Sequence, residues 1–176
     1  STGKELSASD LIRNFILMGL PKDPQQQLYD NIWRPMELLF EDDKTGERMS
    51  LFFRDYLTMK NHRIPNIENV YDEFKRWRFN DAPSDITDVC SELYRFAKYY
   101  TEIIYEKYPD EEINELFKEI NVLRMEVFMP FMLFVMDDYE TTKDSENPLL
   151  TREQFIEIIR LSISYVLRRS ICEIPT

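Results

Sequence analysis

Apolar residues recur three and four positions apart along most of the chain, the spacing that lines one face of an α-helix. Leu11, Ile12, Phe15 and Ile16 form the first stripe. Ser7 precedes it as a capping residue, with Asp10 at the third position of a variant capping box. Gly19 suits the position just past the helix end, and Pro21 blocks continuation. Asp23-Pro24-Gln25-Gln26 signals a second start, with Asp23 capping, Pro24 first and Gln26 third in a helix lined by Leu28, Ile32 and Leu39. Pro35 should kink or break that helix after Trp33. Residues 42–46 read as a polar turn, and Ser50 as the cap of a short helix through Leu51, Phe52 and Leu57. After a connector at 62–65, Asn66 is expected to cap a helix with Val70, Phe74 and Trp77 as its stripe.

The longest pattern starts at Ser84 or Asp85 and runs through Ile86, Val89, Leu93, Phe96, Tyr100 and Ile103. Pro109 closes it, and Asp110 starts a partner with Ile113, Leu116, Ile120, Leu123 and Val127. Two matched stripes joined at Tyr108-Pro109-Asp110 predict an antiparallel helical hairpin. Pro130 should interrupt the second of them, and residues 131–136, apolar all round, belong at the centre of a core. Residues 144–148 suit a linker. Thr151-Arg152-Glu153-Gln154 is a capping box for a helix carrying Phe155, Ile158, Ile159 and Val166 and ending near Arg168-Arg169. No strand pair and no internal repeat emerges. The predicted fold class is all-α, a multi-helix bundle built around the long antiparallel hairpin.

Composition supports a folded helical chain. Its 176 residues are 43% hydrophobic, enough for a core in one domain, or one domain plus a docked segment. Only three glycines occur, fewer than sheet turns and bulges usually demand. A net charge of −11 repels a nucleic-acid duplex on average and disfavours a DNA-binding domain in its own right. Cys90 and Cys172 form no motif and suit free thiols in a reducing compartment. The longest apolar run, 127–136, is half of the ~20 residues that span a bilayer. No secretory segment opens the chain. These features lead us to expect a cytoplasmic protein. The start at Ser1 and the end at Thr176, just after a strong helical pattern, suggest an excised piece of a longer protein.

Candidate chemistry is sparse. His62 is the only histidine, in a Lys60-Asn61-His62-Arg63 connector, which argues against histidine clusters and most zinc sites. Thr2-Gly3-Lys4 lacks the first glycine of a phosphate loop, and Glu5 stands at the hydroxyl position. The pairs Asp42-Asp43, Glu111-Glu112 and Asp137-Asp138 suit solvated faces; Asp137, Asp138 and Glu140 also suggest a weak cation site. Lys75, Arg76 and Arg78 around Trp77, and Arg168-Arg169, either complement helix C-termini or meet a phosphate or acidic partner. The aromatics Phe96–Tyr100 and Phe128–Phe131–Phe134 read as core.

Three segments carry a family resemblance. Ser1-Thr2-Gly3-Lys4-Glu5-Leu6-Ser7 followed by Asp10-Leu11-Ile12-Arg13-Asn14 resembles a turn-and-helix signature of the GmrSD-type, modification-dependent (type IV) restriction endonucleases. Tyr165-Val166-Leu167-Arg168-Arg169-Ser170-Ile171-Cys172 resembles the Arg-Arg segment before that family's His-Asn-His-type nuclease domain. Phe128-Met129-Pro130-Phe131-Met132-Leu133 is similar to its apolar, proline-started helix. The Asp-Gly-Gln-Gln-Arg-type nucleotide motif and the histidine-bearing metal motif of such enzymes are absent from this chain.

The resemblance implies the helical middle of such an enzyme, non-catalytic itself, coupling a nucleotide-using ParB/sulfiredoxin-like domain to a nuclease that degrades foreign or modified DNA. Residues 1–20 would end the first domain, 21–143 form the helical bundle, and 144–176 lead to the nuclease. The fragment would carry no cofactor; nucleoside triphosphate and a divalent metal would serve the parent protein. Partners would be the flanking domains, with DNA met only through the parent and no membrane. Asp10, Arg13 and Asn14 would either brace the nucleotide-handling domain or cap a helix and form a structural salt bridge. Arg168 and Arg169 would brace the nuclease domain or touch phosphate. The alternative is a stand-alone helical protein-interaction module of a regulatory or defence protein.

Overall fold

The computed structural model describes residues 6–41 and 43–172. These residues are all-α, with no strand among them. The chain divides into two compact units, Ser1–Lys98 and Tyr99–Thr176.

The first unit begins with α1 (Ala8–Met18). The Ser7 side chain accepts from Asp10 N–H, and the Asp10 side chain accepts from Ser7 N–H, so the expected capping box forms. Gly19, by contrast, ends α1 in the right-handed region at φ −77°, so its glycine freedom is not used. Helix α2 (Lys22–Leu28) starts one residue before the expected cap, with Pro21 at its N-cap. Asp23 therefore lies inside the first turn, where Pro24 costs nothing because that turn's N–H groups have no intrahelical acceptor.

Pro35 breaks nothing. A π turn over Tyr29–Trp33 joins α2 to α3 (Arg34–Leu39), and Arg34 N–H reaches back five residues to the Tyr29 carbonyl. Widening the helix before a proline, which has no N–H to donate, keeps the chain helical.

Helix α4 (Glu47–Asn61) starts three residues before Ser50, and Asp43 supplies the first-turn acceptor, taking Met49 N–H at 3.0 Å. Ser50 instead donates to the Gly46 carbonyl at 2.6 Å. A 3₁₀ turn at Ile67–Asn69 leads to α5 (Val70–Asn80); Asn66 stands at the turn's N-cap without a side-chain hydrogen bond. The unit closes on the first part of α6 (Ile86–Ile104).

The core here is aromatic. Trp33 stacks on Phe53 at 6.1 Å, Phe53 meets Phe74 edge-on at 5.8 Å, and Tyr56 meets Trp77 and Phe96 edge-on at 5.3 and 5.4 Å. These offset and edge geometries are the favourable ones for aromatic quadrupoles. The Tyr56 hydroxyl donates to Glu92, which also pairs with Lys60. Burial pushes the Glu92 carboxyl up, but its hydrogen bonds from Lys60 and Tyr56, with the charges of Lys60 and Arg95, outweigh burial and hold it below the ordinary range.

In the second unit, Asp110 caps α7 (Glu111–Val122) by accepting Ile113 N–H at 3.2 Å. The connection from α6 to α7 spans 105–110, longer than a three-residue turn. Near the end of α7, the Asn121 amide donates to the Ile103 carbonyl near the end of α6 at 2.9 Å. Helix α7 stops before Leu123 and Val127, which were expected on its stripe. Leu123 is its C-cap, Arg124 takes φ +52°, and a 3₁₀ turn at Glu126–Phe128 follows. Pro130 starts rather than interrupts a helix, sitting in the first turn of α8 (Met129–Thr142). The last helix, α9 (Arg152–Ile171), carries the expected Thr151–Gln154 capping box and packs on α7 and α8.

The second core holds Phe117, Met132, Leu133, Met136, Phe155 and Ile159, with Tyr139 stacked on Phe155 at 4.5 Å. Residues 131–136 are not all interior: Phe131 and Phe134 face solvent. No helix among the described residues is long and apolar enough to cross a membrane.

Candidate functional site

Asp10 and Arg13 of α1 line a cleft of about 330 Å³ in the first unit, with Ser9, Glu37, Asp43 and Gly46 among others. Its walls come from three places in sequence: the start of α1, the end of α3, and the turn into α4. Helix α1 presents Asp10 and Arg13 three residues apart, hence on one face.

Arg13 divides its guanidinium. Nη2 lies 3.1 Å from Asp10 Oδ1 and Nη1 lies 3.0 Å from Glu37 Oε1. Glu37 Oε1 also accepts the indole N–H of the fully buried Trp33 at 2.8 Å. The π turn places Trp33 and Glu37 four residues apart across its end, so the indole and carboxylate share a side. One carboxylate oxygen thereby joins α1, the buried aromatic core and α3.

Ser9, on the cleft wall, belongs to a cluster of hydroxyls with Ser7 and Ser50. Ser7 Oγ and Ser9 Oγ are 2.9 Å apart, Ser9 Oγ donates to the Gly46 carbonyl at 3.2 Å, and Ser9 N–H donates to Ser50 Oγ at 3.2 Å. Gly46 adopts φ +74°, and a Cβ there would lie 2.5 Å from Ser7 Oγ. The left-handed turn and the close approach both require glycine. The starts of α1 and α4 are therefore locked together.

Ser7 Oγ donates to Asp10 Oδ2 at 2.8 Å while accepting Asp10 N–H, so its lone pair and proton serve the cap. Asn14 lies half-exposed on the same helix. His62 is exposed, in a left-handed conformation at the end of α4.

The remaining candidates are spread elsewhere. Lys75 pairs with Asp72 at 2.9 Å, Arg76 with Glu73 at 2.8 Å, and Arg78 donates to the Pro83 and Ser84 carbonyls at 3.1 and 2.9 Å. Each cation around Trp77 is thus engaged locally. Of the suggested cation site at Asp137, Asp138 and Glu140, the Asp137 and Glu140 carboxylates have protein partners. Tyr99 O–H reaches Asp137 at 3.4 Å, and Glu140 takes both the Tyr108 hydroxyl and Lys143. No group of three His, Cys, Asp or Glu side chains among the described residues is placed to hold a metal. Arg169 donates to the Tyr165 hydroxyl at 2.8 Å, and Arg168 is exposed beside it on α9. The Thr2-Gly3-Lys4 segment and Asp42 lie outside the described residues.

No family model, no curated protein and no solved structure matches this chain.

Sequence reasoning named Asp10 and Arg13 but missed Glu37, Trp33 and Gly46. Glu37 is 24 residues from Arg13, beyond any local pattern. Gly46 carried a signal, since a lone glycine in a polar turn invites a positive φ.

Proposed function

We propose that this chain is the helical middle of a GmrSD-type, modification-dependent restriction endonuclease, which couples a nucleotide-using domain to a nuclease acting on foreign or modified DNA. The observation that carries the reading is the placement of the motif Asp10-Leu11-Ile12-Arg13-Asn14. Its two charged residues join on the wall of one cleft and tie α1 to α3 through Glu37. A helix fixed by an ion pair to α3 and by hydroxyls to α4 moves only if both follow, which is what a coupling element requires. On this reading Asp10 and Arg13 are positioning residues. Nucleoside triphosphate and divalent metal belong to the flanking domains, and this chain's residues bind neither.

Two experiments test the reading. The purified chain should neither hydrolyse GTP nor nick modified DNA; turnover of either overturns it. Within the longer protein, Arg13→Ala should lower nucleotide-dependent DNA cleavage about tenfold, the scale of an ordinary coupling energy, while nucleotide hydrolysis persists. Flanking coding sequence supplies the cheap check. An upstream region without an Asp-Gly-Gln-Gln-Arg-type motif and a downstream region without a histidine-bearing nuclease would favour the stand-alone interaction module instead.

A further inference from the structure

We draw no further inference here: the strongest candidate, the exposed apolar patch of α8 around Phe131 and Phe134, has acidic residues at one end and arginines of α9 at its Tyr165 edge, and nothing in the structure shows what covers it.

Discussion

Arg152 grips Asp110 through two bonds, Nε to Oδ2 at 2.6 Å and Nη2 to Oδ1 at 2.9 Å, while the same carboxylate caps α7 through Ile113 N–H. Arg152 is the first residue of α9, so a single side chain fixes the start of one helix to the start of another. Glu112 extends the pairing to Arg152 and Arg160, each at 2.9 Å. Asp110→Ala should therefore lower stability by about 1 kcal/mol through the lost cap alone, measured by urea unfolding.

The same carboxylate gives a pH signature. The Arg152 hydrogen bond, aided by backbone N–H groups and the guanidinium charge, outweighs burial and holds Asp110 below its ordinary value of 3.8. A depressed acid stabilises fully above its unfolded pKa and loses that contribution as pH falls through the folded one. The stability gap between the parent and Asp110→Asn should be constant from neutrality to about pH 5 and shrink below about pH 4. A gap that grows on acidification would refute the assignment.

Gly46 and Gly19 should respond oppositely to alanine. Gly46 sits at φ +74° with a would-be Cβ 2.7 Å from Ser9 Oγ, so Gly46→Ala should cost about 2 to 3 kcal/mol from left-handed strain and crowding together. Gly19 has nothing within 4 Å and a right-handed φ, so Gly19→Ala should be neutral or stabilise slightly by restricting the unfolded chain. Thermal melts of the two variants provide the comparison.

The shared acceptor at Glu37 should be costly to remove. Glu37→Ala leaves the indole N–H of fully buried Trp33 without its carboxylate, a loss of about 1 to 3 kcal/mol. Glu37→Gln keeps an oxygen for the indole but drops the charge opposite Arg13, and should cost less. Urea unfolding followed by the fluorescence of Trp33 and Trp77 together distinguishes the two.

What was legible in the sequence was what is local. The Ser7–Asp10 and Thr151–Gln154 capping boxes span three residues and form as expected, as does the Asp110 cap. The all-helical class follows from summed periodicity, which tolerates errors at single boundaries. Ser50 misled because its hydroxyl serves the Gly46 carbonyl and Ser9 N–H, partners up to 41 residues away. Pro35 misled because a π turn absorbs a proline and leaves no local mark. Residues 131–136 misled because an unbroken apolar run has no polar position to show which side faces out. Half of the candidate cleft was visible for the same reason: Asp10 and Arg13 are neighbours on a helix, whereas Glu37 reaches them only through the tertiary fold.

The two cysteines should separate cleanly in a thiol-labelling assay. Cys90 is fully buried, and loss of hydration pushes its thiol up to about 12, partly opposed by the charge of Arg78. The thiolate is the reacting species, so at pH 8 Cys90 is silenced both by access and by protonation. Cys172 is exposed just past α9. A chromogenic disulfide reagent should therefore modify one thiol per chain rapidly in buffer and the second only as fast as the first unit opens. Denaturant should merge the two phases, and Cys172→Ser should remove the fast one alone. Rapid labelling of both thiols in native buffer would show that the α6 helix carrying Cys90 is not packed as described.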